Sequence, residues 1–531
     1  MGFDYLVDYV ILALYALGMV GIAVYTRNRS KSVNDFLLAG KKGLNGWMSA
    51  FAYGTTYFSA VIFIGYAGQF GRLYGLASVW IGIGNAIIGS LFAWLVLAKR
   101  TKKMTTRLSA KTMPEFFEKR YDSKRLKLVS AVIIFLFLIP YSASVYNGLS
   151  SLFGVVFKID GWIIMLALAG LTALYLFFGG YFATALSDFI QGIIMLIGVV
   201  AMVICFMNYD TISWDLSLLV NSDELGWFTF SSSNTGLYGN TASLLSLVFL
   251  TSFGVWALPQ TIHKYYAVRD DKAIMQGTVV STLFALIIGF GAYFTGALSA
   301  FFPELAGVAS DGVIPNMIKI VIPTGLIGVL AVLILSASMS TLSSVSLASA
   351  SVVAVDIYKG KINPNASDKK VNWTMKILCL VFVAISVTLA ILNEKFQISA
   401  IAYLMGLSWG VLAGCFIGPY VLGLLWKKVS RPAVWCSVIG TLILTLVLIF
   451  VFGYDKNGWD CTLGFALKTG IGCSPMIGVI CMAYSMAVTA IVSLFTKPCE
   501  KGVQVAFDGG MYKTNAQENE MKNERKGSEK I

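Results

Sequence analysis

Leu330-Ala-Val-Leu-Ile-Leu-Ser-Ala-Ser-Met-Ser-Thr-Leu-Ser-Ser-Val-Ser-Leu-Ala-Ser349 is apolar enough to lie in a bilayer, yet it carries a ladder of hydroxyls. On a helix, Ala337, Ser340, Thr341 and Ser344 fall at i, i+3, i+4 and i+7. One backbone carbonyl and several hydroxyl oxygens then share a face, with Ser343 beside them. Hard cations such as Na⁺ favour oxygen ligands. Small residues at the same spacing also let two membrane helices pack closely and hydrogen-bond across the contact. The ladder alone leaves ion binding and helix packing both open.

Composition settles the environment. The 531 residues are 57% hydrophobic and 13% charged, with a mean hydropathy of +0.76. The apolar residues fall in long runs, each near the ~20 residues that cross a bilayer as an α-helix while satisfying their own backbone. About thirteen such spans are predicted by this length criterion, near 5–26, 46–67, 74–98, 128–155, 160–178, 184–207, 242–262, 277–301, 319–354, 373–393, 398–426, 432–453 and 474–496. Nothing in the pattern suggests a barrel.

The net charge of +13 does not imply nucleic acid, because the cations sit in alternate loops. Lys and Arg crowd 27–42, 99–127, 264–272, 359–376 and 427–431, whereas loop 208–241 has neither and carries Asp210, Asp215, Asp223 and Glu224. By the positive-inside rule the basic loops are cytoplasmic and the acidic loop is outside. An odd number of spans then puts the N-terminus outside and the C-terminus inside. The acidic start Met1-Gly-Phe-Asp4 lacks the basic region of a cleavable signal. Residues 497–531 mix Lys, Glu, Asn and Gly without periodicity, which predicts a disordered tail. Cys461 and Cys473 share an outer loop; spacing alone leaves a disulfide between them open.

Two spans are expected to be interrupted. In Gly46-Trp-Met-Ser-Ala-Phe-Ala-Tyr-Gly-Thr-Thr-Tyr-Phe-Ser-Ala60, Gly54, Thr55 and Thr56 weaken the helix. In Thr251-Ser-Phe-Gly-Val-Trp-Ala-Leu-Pro-Gln260, Pro259 lacks an N–H and Gly254 tolerates unwinding. Broken helices expose carbonyls and half-helix ends to a solute or an ion, and packing kinks look the same in sequence. These are the second and seventh spans, each opening a block of five, as in an inverted five-plus-five repeat. A third element, Phe178-Gly-Gly-Tyr-Phe-Ala-Thr-Ala-Leu-Ser-Asp-Phe-Ile-Gln191, places Asp188 just inside an apolar helix. There it is either a functional carboxylate or, with Ser187, a helix cap. His263, the sole histidine, stands beside Lys264, as a proton-handling group or as an interfacial ring bonded to backbone.

Over nearly its whole length the chain resembles the sodium:solute symporters, which include sodium/proline, pantothenate, sugar, iodide and sialic acid carriers. The resemblance rests on Gly179-Gly180-Xaa-Xaa-Ala183 through Asp188-Xaa-Xaa-Gln191 and on Ala337-Ser-Met-Ser-Thr-Leu-Ser343. It implies an all-α polytopic membrane protein of the leucine-transporter-like type with an extra helix before the repeat. The divisions expected are 1–45 (extra helix and basic loop), 46–207 and 242–427 (the two five-helix repeats), 208–241 (outer loop), 428–496 (two further helices) and 497–531 (tail). It also implies a main sodium site formed by the carbonyls of Thr55, Phe58 and Ala337 with the hydroxyls of Ser340 and Thr341. A second sodium site, present in some members, would use Ser340, Ser343, Ser344 and Asp188.

The substrate positions follow none of the sugar, sialic acid or proline patterns. Gly82 stands where a galactose carrier has glutamate, Phe135-Leu-Phe-Leu-Ile-Pro-Tyr-Ser142 offers no arginine for a sialic acid, and Tyr57, Val61, Thr251 and Val255 replace the proline-carrier residues. Thr56, Tyr57, Ser59, Ser252, Trp256 and Gln260 are the expected substrate contacts, a neutral and aromatic set. The function expected is inward transport, across the plasma membrane, of a neutral or zwitterionic solute such as an amino acid, driven by Na⁺. Monocarboxylate or pantothenate-like uptake is the alternative, and a transporter-like sensor or channel the alternative of another class. No enzymatic group set and no nucleic-acid partner are expected.

Overall fold

The computed structural model describes residues 5–27, 32–38, 43–223, 225–228, 241–396, 400–457 and 462–508. Every regular element among them is helical, with one isolated backbone bridge between Leu44 and Val268. Cys461, and with it the Cys461–Cys473 pairing, lies outside the described residues, as do residues 1–4, Glu224 and residues 509–531 of the expected tail.

Eleven helices among the described residues are long and apolar enough to cross a membrane. The count differs from thirteen because two pairs of spans run on as single helices, Val61–Leu108 with 48 residues and Gly161–Met207 with 47. Straight α-helices of that length would run about 70 Å, more than twice a ~30 Å hydrocarbon core. Each turns at a glycine in the left-handed region: Gly75 (φ 54°) and Gly180 (φ 58°). A Cβ at Gly180 would also meet the Phe36 ring at 2.7 Å. The Gly179-Gly180 motif is therefore the corner at which the chain reverses.

The first broken helix runs Gly46–Tyr57 and resumes after an extended Phe58 (φ −104°, ψ 112°). The break falls beyond the predicted Gly54–Thr56 because the Thr55 and Thr56 hydroxyls donate to the carbonyls of Phe51 (2.8 Å) and Ala52 (2.7 Å), staying within the helix. Gly54 has a packing role: a Cβ there would meet the Phe284 ring at 2.5 Å. The second broken helix runs Thr241–Gly254 and Pro259–Ala267. Pro259 is at the first position of the inner half, where its missing N–H is not needed.

Between these lies the serine-rich helix Ile327–Ser351, in which Ser336 through Ser346 are all buried. It packs against Gly161–Met207 and Lys124–Phe157. The extra N-terminal helix, Leu6–Thr26, positions it. The fully buried Asp8 accepts the N–H groups of Gly325 (3.1 Å) and Gly328 (2.6 Å), meeting the free donors and positive dipole end where the serine helix begins. Deeper down, the fingerprint residue Gln191 donates to the Tyr15 hydroxyl at 2.9 Å.

The expectation of a disordered tail from residue 497 does not hold for residues 500–508. Arg107 donates to the carbonyls of Ala506 (3.0 Å) and Phe507 (2.8 Å), and Asp508 pairs with Lys427 at 2.8 Å. The basic loops supply the donors that hold this segment.

Candidate sodium and solute site

Where the serine helix crosses the first broken helix, oxygens converge. The Ser340 hydroxyl lies 3.1 Å from the carbonyls of both Thr55 and Ala337. The Thr341 hydroxyl lies 3.3 Å from Thr55 O, 3.4 Å from Thr56 O and 3.1 Å from Ala337 O. Hard cations such as calcium hold oxygens at about 2.3–2.6 Å, which sets ligands at right angles about 3.3–3.7 Å apart. The observed spacings of 3.1–3.4 Å thus need only slight expansion around a cation of that size. Four of the five expected main-site residues meet here. The fifth, Phe58, begins the extended stretch, its N–H held by Gly54 O at 3.1 Å and its ring stacked on Tyr57 at 4.6 Å.

The residues expected to form a second sodium site are arranged differently. Asp188 is fully buried and inside a continuous helix, well past the corner at Gly180, so it is not a cap. Its carboxylate pairs with the Lys264 ammonium at 3.3 Å, and the same ammonium donates to the Ser344 hydroxyl at 2.8 Å. Ser343 turns back to Ser340 O at 2.9 Å instead. Lys264, assigned in sequence to a cytoplasmic basic loop, is only 2% exposed. The missed signal was Asp188 itself: a carboxylate within an apolar helix calls for a cation, and Lys264 sits one turn past a predicted helix break.

A cavity of about 10 Å³ lies between the two broken helices, lined by Tyr57, Phe58, Ser59, Asn85, Thr251 and Trp409 among others. That is room for about one water, so its walls are nearly closed. The Tyr57 hydroxyl spans it to donate to Thr251 O at 2.7 Å, and Asn85 Oδ1 accepts from the hydroxyls of Thr251 (2.7 Å) and Ser252 (3.2 Å). No charged side chain lines it among the described residues.

Of the six expected substrate contacts, Tyr57 and Ser59 line this cavity and the others do not. Thr56 faces the serine helix, 2.8 Å from the Ser344 hydroxyl. Ser252 stands behind Asn85. Trp256 donates to Ile88 O at 3.0 Å and lines a separate apolar groove with Phe253 and Met482. Gln260 is buried in the first turn of the inner half-helix. The break rotates Trp256 away, and helical periodicity cannot be extrapolated across it. Asn85, Tyr293 and Trp409 come from other helices and were not singled out in sequence. His263 is buried, its ring edge-on to Tyr181 at 5.2 Å.

Two helices interrupted at the level of a buried oxygen cluster, with a serine helix crossing one of them, define a secondary carrier of the leucine-transporter-like fold. The chain belongs to the sodium:solute symporter family, whose sequence model matches residues 36–440. Similar proteins include a sodium/proline symporter of Haemophilus influenzae, 31% identical over 82% of this chain and 87% of that protein. The osmoregulated proline transporter OpuE of Bacillus subtilis is 29% identical over 92% of this chain and 94% of its own length. A sodium/pantothenate symporter of Haemophilus influenzae is 28% identical, covering 84% of this chain and 92% of that protein. Among solved structures, a Na⁺-coupled sialic acid symporter in its substrate-bound outward-open state superposes with a TM-score of 0.74 at 19% identity, covering 93% of this chain and 98% of that one. Mhp1, a nucleobase-cation-symport-1 family transporter in a closed conformation, gives 0.50 at 13% identity, covering 90% and 98%. This protein is accordingly a multi-pass membrane transporter that couples solute import to Na⁺, and not an enzyme.

Proposed function

We propose that the chain imports a neutral or zwitterionic solute, an amino acid first among them, with one Na⁺ held by Thr55, Ala337, Ser340 and Thr341. The observation that carries this is the cavity beside that oxygen cluster, walled by aromatic and neutral polar groups. An unpaired multiply charged anion would bear a large desolvation penalty there. A zwitterion's carboxylate has the Na⁺ bound beside the cavity to compensate it. The proline transport named for two of the relatives favours an amino acid. The pantothenate relative keeps a monocarboxylate as the second reading.

Coupling follows from linkage. Sodium bridging the first broken helix and the serine helix favours the conformation in which the solute site faces outward, and its loss to a low-sodium cytoplasm releases both. An inside-negative membrane adds about 2.3 kcal/mol per elementary charge per 100 mV. The orientation proposed places the N-terminus outside and the C-terminus in the cytoplasm of a plasma-membrane protein, with thirteen passages expected, in about the number given by run length. Residues 46–207 and 242–427 form the two repeats. The lipid bilayer is the surrounding partner, and nucleic acid is not one.

Thermal stabilisation of the purified protein by amino acids, monocarboxylates and pantothenate, with and without sodium, tests the proposal. The expected result is sodium-dependent stabilisation by an amino acid. A multiply charged anion as the best ligand overturns it.

A further inference from the structure

The Asp188, Lys264, Ser344 and Thr56 side chains form one buried chain linking four elements. Asp188 and Lys264 are 3.3 Å apart, Lys264 and Ser344 2.8 Å, and Ser344 and Thr56 2.8 Å. None of the four is more than 4% exposed. Each belongs to a different part of the bundle: Asp188 to Gly161–Met207, Lys264 to the inner half of the second broken helix, Ser344 to the serine helix and Thr56 to the first broken helix. The other carboxylate oxygen, Oδ1 of Asp188, has no hydrogen-bond partner among the described residues.

A buried carboxylate and a hydroxyl facing one point make a cation site, and here a cation stands at that point. An ammonium is a compact monovalent charge with three donors. A sodium ion brought beside Asp188 and Ser344 would meet a like charge within a few ångströms, in surroundings that screen poorly. The donor set Asp188, Ser340, Ser343 and Ser344 therefore does not fit a second sodium while Lys264 is present.

We propose that the Lys264 ammonium is a tethered replacement for a second coupling cation, so that one sodium accompanies each solute. The proposal rests on the transport function assigned above and deepens it by fixing the ion stoichiometry. Because the tether is covalent, this charge is not delivered across the membrane. It stays with the second broken helix and pulls that helix onto the serine helix, while only the cation at Ser340 and Thr341 is exchanged.

The test counts sodium ions bound per chain by equilibrium binding of ²²Na⁺ to the purified full-length protein, with no solute present. The wild type is expected to bind one, with a Hill coefficient near one. Lys264→Ala removes the ammonium and leaves Asp188 and Ser344 in place, so the count should rise by one. Lys264→Ala/Asp188→Asn should return it to the wild-type value. Lys264→Gln keeps a donor to Ser344 and provides the same comparison where the alanine variant does not fold. A wild type that already binds a sodium lost on Asp188→Asn overturns the proposal, as does an unchanged count in the folded Lys264 variants. Failure of the main-site reading looks different: the wild-type count then survives Ser340→Ala/Thr341→Ala, while the increment from Lys264→Ala is unaffected.

Discussion

The Tyr57 hydroxyl donates to the carbonyl of Thr251 at 2.7 Å, joining the two broken helices directly across the cavity between them. The carbonyl is available because Thr251 lies in the last turn before the helix breaks at Gly254, where C=O groups lose their intrahelical partners. The bond closes the cavity and leaves room for about one water, about 10 Å³. A bound solute must take its place or work around it.

Tyr57→Phe keeps the ring stack on Phe58 and removes this bond. A buried hydrogen bond contributes about 1 kcal/mol net. The variant should therefore melt slightly lower and, with the bond no longer competing, need less solute for half-saturation, with sodium-only binding unchanged. Equal solute affinity in wild type and variant would show that the bond is structural only.

Ser340→Ala with Thr341→Ala removes two hydroxyl oxygens from the cluster around Thr55 O and Ala337 O. Both are small residues at a helix crossing, so the protein should still insert and fold. The sodium concentration for half-maximal uptake is expected to rise about tenfold or more, each lost tenfold being about 1.4 kcal/mol of binding. Sodium-dependent stabilisation that persists unaltered in the double variant rules out this site.

Asp188→Asn leaves the Lys264 ammonium buried without its counter-charge. Breaking a buried pair from one side costs about 3–5 kcal/mol, so this variant should be markedly destabilised. Asp188→Asn/Lys264→Gln removes both charges and should recover most of the loss. A double variant no more stable than Asp188→Asn would mean that the pair is not the source of the cost.

Trp409 and Trp256 separate cavity from groove. Trp409 lines the cavity between the broken helices, edge-on to Tyr141 at 5.7 Å, whereas Trp256 lines the separate apolar groove. Trp409→Ala is expected to raise the solute half-saturation about tenfold or more, about 1.4 kcal/mol per tenfold. Trp256→Ala should leave it within about twofold, under 0.5 kcal/mol or so. Uptake titrations on the two variants decide the assignment, and the opposite ranking would return Trp256 to the solute site.

Asp311 gives a pH dependence. It lies in a cavity of about 690 Å³ that Glu394 and Lys468 also line. Its carboxylate accepts the Ile401 N–H at 3.2 Å, and its backbone carbonyl accepts from Ser151 at 2.6 Å. Burial pushes its carboxyl up to about 6, against the opposing pull of the Ile401 N–H. With the folded value above the ordinary ~3.9, the stabilising contribution is complete below about pH 4 and lost as pH rises through about 6. Asp311→Asn, which cannot ionise, should match wild type near about pH 4 and melt higher than it above about pH 7. Melting curves across that range check this, and a constant difference between the two proteins speaks against Asp311 as the titrating group.

Much of this arrangement is local and therefore present in the sequence. Run length dictates transmembrane helices because backbone groups in lipid must bond within their own segment. The i, i+3, i+4 and i+7 spacing puts Ala337, Ser340, Thr341 and Ser344 on one face, and Pro259 starts the inner half-helix because its ring supplies no N–H. Tertiary structure decided what depends on which helix faces which. Thr55 and Thr56 stay helical because their hydroxyls bond back to Phe51 O and Ala52 O, so the break moves on to Phe58. Trp256 turns away from the cavity, while Asn85, Tyr293 and Trp409 enter it from other helices. Lys264 reads in sequence as one more loop cation. Only the approach of Asp188 from another helix, 76 positions away in the chain, makes it a buried charge. The strength of a charge pair in low dielectric is set by the distance between its members, and linear spacing carries no information about which side chains different helices bring together.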